Sequence, residues 1–394
     1  MSSYTCSLEA GAKALEYLVN DWLCDVAADF AGRCVLVSYA LSIIERVLLP
    51  ERPAYFVTAG KRGGGKTTVL SMIALAVTGR KPAAAAWALD ENERRKAMLA
   101  HLMEGLPTLV WDNIALGSAL SCPVLEAVLT SESFSDRVLG ESRKGTVPTH
   151  TIMAFTGNNI SPKGDLASRS LMARLDVDRP DPENRDFTHP DPIGWTQDHR
   201  GEILAALYTV LLSNPRLKKA ASERDAAGTR FKTWWHLVGS AVEQAAATLA
   251  AAHEKMAPEQ DRHVASKINF SAQFAAVEGE DEDTVGLGDA LRVLRNRWST
   301  GFSSGTVITF IQAHDEKDDE DAVLLSAFLS AKRRAPGPIT VKSTTAALSA
   351  SRGAPVTVDA EILKLERSGL GADDRAKAAY WFEVVALGEK RREP

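Results

Sequence analysis

The chain is 394 residues long, 45% of them hydrophobic, with a formal net charge of -5. That apolar content supports two or three folded domains. The mild acidity excludes a globally basic nucleic-acid binder, so any such contact must come from local patches or from a pore gathering positive charge from several subunits. Four cysteines, Cys6, Cys24, Cys34 and Cys122, stand apart without a CxxC pair. This excludes a disulfide scaffold or a zinc site and reads as buried small side chains. Glu9 interrupts the first twenty residues and no later run is apolar for long enough to cross a bilayer, so neither a signal peptide nor a membrane span is expected. The expected compartment is the cytoplasm.

In chain order, residues 8–49 read as two or three helices, the most apolar at "VLVSYALSIIERVLL", ending before Pro50 and Pro53. An alternating strand and helix core follows from Ala54 to about Leu175. Its strands are "AYFVTA", "TLVWDN" and "HTIMAFTG", apolar runs suited to a buried parallel sheet. Beyond "DPENRDFTHPDP" the chain turns helical. Trp234 and Trp235 in "RFKTWWHLV" fit core packing at helical spacing better than a base-stacking platform. Acidic runs at 278–286 and 316–322 read as solvated loops around a smaller last domain. There "SSGTVITFIQ", "DAVLLSAFLSAKR" and "TVKSTTAALSA" read as three helices, and "EILKLERS" with "KAAYWFEVV" as a two-stranded ribbon, the order of a winged helix. The expected boundaries are 1–50, 51–180, 181–280 and 287–390.

The stretch "GKRGGGKT", 60–67, fits G-x-x-x-x-G-K-[ST] between a strand and a helix, the context this phosphate-binding loop requires. Gly60, Gly63, Gly64 and Gly65 allow successive amides to turn toward phosphate oxygens, and the following helix N-terminus favours an anion. Lys66 supplies a point charge to the β- and γ-phosphates, the Thr67 hydroxyl can hold Mg²⁺, and Thr68 continues the cradle. Lys61 and Arg62 flank it. Against a chance glycine turn stands the register of strand and helix.

An ATPase also needs an acidic residue on a neighbouring strand, and Asp112 in "PTLVWDN" fits. Asn113 follows where many P-loop ATPases carry a catalytic glutamate, which leaves the water-activating base open between Asp112, Glu126 and another residue. The end of "HTIMAFTGNN" places Asn158 as a sensor of the γ-phosphate and the attacking water, if that strand lies beside the loop strand. Arg169 and Arg174 in "SPKGDLASRSLMARLD" read either as arginines reaching a neighbouring subunit's γ-phosphate or as surface arginines paired with Asp165 or Asp176.

Taken together, "ERPAYFVTAGKRGGGKTT", "VWDNI", "FSDRVLGESRKGTVPTHTIMAFTGNN" and "GDLASRSLMARLD" resemble the ATPase domain of AAA+ and superfamily-three helicases. The likeness extends to the helicase modules of phage and prophage primase-helicases, over roughly residues 15–240. The resemblance implies an α/β P-loop NTPase with an AAA+/ASCE-like parallel sheet, an N-terminal helical segment and a C-terminal helical, winged-helix domain. It also implies ATP and Mg²⁺ as cofactors, a homo-oligomeric, hexameric ring, and DNA as the partner, single-stranded or forked. Ser168 stands where a second arginine is expected. Only about fifty residues precede the loop strand, so priming or loading is expected from a separate protein. In similar helicases a hairpin before the sensor strand points into the channel. "SDRVLGESRKGTVPTH" reads as such a hairpin with Arg143 and Lys144 at its turn, or as a solvated tip. In the tail, Lys342, Ser343 and Arg352 are available for phosphates, although Asp373 and Asp374 in the wing do not favour DNA, and such domains also dock proteins. Two rival classes remain: an AAA+ switch or remodeller, for example in anti-phage defence, and a P-loop kinase. A sensor asparagine, an arginine suited to acting in trans and this tail together favour the ATP-driven DNA motor over the kinase.

Overall fold

The computed structural model describes residues 6–60, 63–138, 143–176, 186–218, 229–256, 268–279, 282–299, 301–314, 319–332, 338–353, 356–359, 361–367 and 381–386. Lys61, Arg62, Gly140, Asp373, Asp374 and parts of both acidic runs lie outside the described residues. The chain forms two compact units, residues 1–278 and 279–394.

In the first unit, Ser7 accepts a hydrogen bond from the Ala10 amide to start α1 (Leu8–Tyr17), and Asp29 caps α2 (Phe30–Glu45) through the Gly32 amide. α2 is apolar nearly all round, the pattern of a helix enclosed on every side, and it is buried from Cys34 to Ile43. Next come β1 (Ala54–Ala59), α3 (Lys66–Thr78), β2 (Ala83–Ala86), α4 (Glu91–Met103), β3 (Thr108–Ile114), β4 (Ala119–Leu120), α5 (Pro123–Leu129), β5 (Ser133–Arg137), β6 (Lys144–Pro148), β7 (Ile152–Asn158), β8 (Ser161–Pro162) and β9 (Ser170–Leu175). α6 (Pro192–Asp198), α7 (Arg200–Leu212), α8 (Lys232–Trp234), α9 (Ser240–Met256) and α10 (Phe270–Gly279) complete it.

Five parallel strands form the central sheet in the order β2-β3-β7-β1-β9. β1 is buried throughout, and its side chains alternate between two layers as the period of a strand requires. Tyr55, Val57 and Ala59 meet α2, α3, α7 and α9, whereas Ala54 and Phe56 meet α4 and α5. On the second face Phe56 stacks on Phe155 at 4.9 Å, and Trp87 meets Trp111 edge-on at 5.3 Å. Behind the first face, Trp234 Nε1 donates to Ser42 Oγ at 2.7 Å, and Ser42 Oγ shares a hydrogen bond of 2.8 Å with the Tyr55 hydroxyl. Trp234 is fully buried, as its spacing requires. The segments on either side of 51–180 therefore share one core with the sheet.

Two strands of the central sheet were not anticipated. β2 is four alanines, a residue with no β preference, held as an edge strand by pairing with β3. β9 lies on the far side of β1, and this puts Arg174 on an exposed strand position. Between β7 and its neighbours, Gly157 is a close approach: a Cβ there would fall 2.6 Å from Ile160 Cγ2 and 2.8 Å from the Ile114 carbonyl. Gly157→Ala is therefore expected to cost about 1–3 kcal/mol by overpacking, read as a lowered Tm. Unchanged melting would show that the strands separate there without strain.

The second unit contains α11 (Glu282–Arg297), β10 (Phe302–Ser303), α12 (Ser304–Ala313), α13 (Glu320–Ala331), α14 (Val341–Ala350), β11 (Val356–Val358), β12 (Glu361–Arg367) and β13 (Trp381–Ala386). The anticipated three helices and antiparallel ribbon are present, with β10 and β11 flanking the ribbon in the order β10-β13-β12-β11. Ser343 closes a capping box with Thr340 at the start of α14, so its hydroxyl serves the helix end.

Candidate nucleotide-binding site

β1 runs out at Ala59, and the chain must turn sharply into α3. Gly63 and Gly65 take φ of 75° and 84°, a left-handed region where a side chain is disfavoured. Gly65 is also the N-cap of α3 and carries no side-chain cap, which leaves the first amides of the helix for an anion. Gly60 sits at the strand end near Asn159, where even a Cβ would lie 3.9 Å from Oδ1. Gly64 is buried, while Thr67 and Thr68 are exposed at the helix start. At the other end of α3, Gly79 takes the left-handed C-cap position, and Arg200 donates to the Leu75 and Val77 carbonyls at 3.3 and 3.4 Å.

The strand order brings the remaining groups in. β7 lies between β1 and β3, so the ends of three adjacent parallel strands present the loop, Asn158 and Asp112 side by side. Lys66 Nζ donates to Asn158 Oδ1 at 2.7 Å, and Thr67 Oγ1 to Asp112 Oδ1 at 3.4 Å. Four residues separated by up to 92 positions in sequence thus meet in one place. Burial lowers the Lys66 ammonium from its ordinary value, and Asp112 partly offsets this by favouring the charged form. The Asn113 amide donates to Asp112 Oδ1 at 2.7 Å and fixes the carboxylate. Asn113 itself is left-handed at φ 57°, where the β3–β7 register shifts. This turns its side chain to the exposed surface.

Two other predicted sets lie apart from this cluster in the chain's hydrogen-bond pattern. Arg169 ends a 3₁₀ turn, Gly164–Arg169, and its Nη2 pairs with Asp165 Oδ2 at 2.6 Å. Arg230, which sequence reading missed, places Nη1 3.0 Å from the other oxygen of Asp165. One carboxylate thus holds two guanidinium groups, and no sequence signal pairs residues 65 positions apart. Glu126 joins this neighbourhood: burial first, then Asp165, raises its carboxyl above the ordinary value, and Arg169 opposes the rise. Arg143 and Lys144 lie on the β5–β6 hairpin, with Lys144 opposite Arg137 and the Val138 amide donating to the Arg143 carbonyl at 3.1 Å. Arg95 on α4 anchors the hairpin through Asp136 at 2.5 Å.

A hydroxyl and a carboxylate that face each other beside a phosphate-binding loop suit a divalent cation that keeps most of its waters, as Mg²⁺ does. Among the described residues no group of three or more His, Cys, Asp or Glu could hold a metal without a substrate's oxygens. No described helix is long and apolar enough to cross a membrane.

The class defined by these features is a mixed α/β protein with a central five-stranded parallel sheet and a glycine-rich turn leading from its fourth strand in spatial order into α3. No protein-family model and no curated protein matches the chain. Two solved structures of JCV helicase, one with a bound phenoxyphenyl acetamide and one with a bound inhibitor, are similar over 68% of this chain and 74% of theirs, at 13% identity and a TM-score of 0.24. That similarity is distant, and function is argued from the chain's own residues.

Proposed function

We propose that the chain is an ATP-hydrolysing DNA helicase or translocase, or a replication initiator, of phage or mobile-element type, working as a hexameric ring of identical subunits. The observation that carries it is the meeting of Lys66 with Asn158 and of Thr67 with Asp112 at the ends of neighbouring strands. The strand inserted between the loop strand and the acidic strand, as in the AAA+/ASCE arrangement, supports this reading, with the Asn158 amide as the sensor of the γ-phosphate and the attacking water. Lys66 and the loop amides hold the β- and γ-phosphates, and Thr67 and Asp112 hold the metal shell. Mg²⁺ held by Thr67 and Asp112 would supply charge neutralisation to the phosphoryl oxygens. Asn158 orients the water. Arg169 or Arg174 reaches the γ-phosphate of the adjoining subunit.

Arg143 and Lys144 supply the DNA contact, since backbone phosphates need charge and reach rather than base-specific geometry. The second unit is taken as a winged-helix-like module, and a separate primase or loader as a partner of the chain. Arg143→Ala with Lys144→Ala is expected to leave ATP affinity intact and to weaken stimulation of hydrolysis by single-stranded or forked DNA. The salt slope of DNA binding should fall by about 1 for each cation removed. Wild-type protein whose ATPase rate ignores DNA would replace the motor by an AAA+ switch or remodeller.

A further inference from the structure

A cavity of about 320 Å³ opens directly from the phosphate-binding loop. Gly63, Gly64 and Gly65 with Thr68 form one side of it. Trp22 and Val26, from the segment between α1 and α2, form a second. Phe187, Pro190 and Ile193, from the chain entering α6, form the third. All belong to the first unit. A nucleotide gripped by its phosphates on this loop must put its sugar and base within reach of the helix start, and the cavity is the apolar space found there.

The walls are held in place before any ligand arrives. Asp25 accepts hydrogen bonds from the Thr188 and His189 amides, each at 2.8 Å, which ties the third wall to the second across more than 160 residues of sequence. The His189 ring lies 2.9 Å from the Asp21 carbonyl through Nε2 and stacks on Trp195 with centroids 4.2 Å apart. Trp22 is fixed by its Nε1, which donates to Thr196 Oγ1 at 3.1 Å. Such fixed apolar walls beside a polar anchor favour a flat, weakly hydrated ring system and reduce the ordering cost of binding it. The Asp25 carboxylate is engaged with the backbone of the strap and also lines the cavity.

We propose that this cavity receives the nucleobase of the nucleoside triphosphate whose phosphates lie on the loop. The inference rests on the phosphate-binding reading of Gly60 to Thr68. Its occupant follows from continuity: the cavity shares its glycine wall with the phosphate site, and the remaining walls are Trp, Val, Met, Leu, Phe, Pro and Ile side chains with the single carboxylate of Asp25.

The test compares ATP with inorganic tripolyphosphate, each with Mg²⁺, by titration calorimetry on the full chain and on two variants. Ile193→Trp fills the cavity from a half-buried position, and Phe187→Ala removes a half-buried wall. Both variants are expected to lose ATP affinity by at least about tenfold, in the range that loss of a stacking or apolar base contact produces, while tripolyphosphate binds as to wild type. ATP affinity unchanged in both variants, or an equal loss of ATP and tripolyphosphate, overturns the proposal while leaving the loop assignment standing. Wild-type protein that binds neither ligand overturns the loop assignment itself, and the base pocket with it.

Discussion

Lys66→Ala is expected to abolish ATP turnover, with a loss of at least about 10²–10³-fold in kcat, the scale seen when one preorganised donor is removed from developing charge. The side chain is half-buried and sits at the start of α3 rather than in the core, so alanine leaves the helix intact. What it removes is the ammonium group beside the loop amides, the partner of Asn158 at 2.7 Å. Burial already disfavours the charged lysine in the free protein, so the arriving phosphates recover an interaction that the empty loop only partly supplies. Steady-state phosphate release with calorimetry for ATP affinity checks this. Retained turnover would mean that the loop does not hold the reacting phosphates.

The second large effect concerns Arg169. If it completes the site of the adjoining subunit, Arg169→Ala lowers kcat by on the order of 10³–10⁵-fold, the range for an arginine stabilising phosphoryl transfer, while ATP affinity changes little. Within its own chain Arg169 is held by Asp165, and Arg230 shares that carboxylate, so an action in trans requires Arg169 to exchange this pair for the neighbour's phosphate. Mixing separates an action in trans from a local one. Arg169→Ala and Lys66→Ala subunits, each inactive alone, should recover a measurable share of activity together, because some interfaces then pair an intact lysine with an intact arginine. The same mixing with Arg174→Ala assigns the role between the two arginines. No recovery with either would restrict Arg169 to holding its own turn through Asp165.

Much of the sheet was legible because its strands are buried on both faces and read as unbroken apolar runs: β1, β3 and β7 lie where "AYFVTA", "TLVWDN" and "TIMAFTG" placed them. The loop and α3 were legible for a different reason, since glycines that need left-handed backbone and a lysine at a helix start leave few alternatives. β2 escaped because alanine announces no strand and only pairing with β3 holds it there. β9 escaped because Arg174 drew attention to chemistry, although Leu171, Met172, Ala173 and Leu175 are core residues. Arg230 beside Asp165, and the walls of the cavity, come from segments far apart in sequence with no motif of their own. The cavity walls become neighbours only once the chain entering α6 packs on the turn before α2.

The hydroxyl of Ser42 has a consequence for how this protein can be taken apart. It joins Tyr55 of the loop strand to Trp234, which arrives almost two hundred residues later. A recombination event that carried only residues 51–180 into a new host would strip away the helices that cover that tyrosine and return the apolar face of the sheet to water, at about 1.5–3 kcal/mol for each large side chain uncovered. Residues 1–278, flanks and sheet together, are therefore the piece that must travel as one.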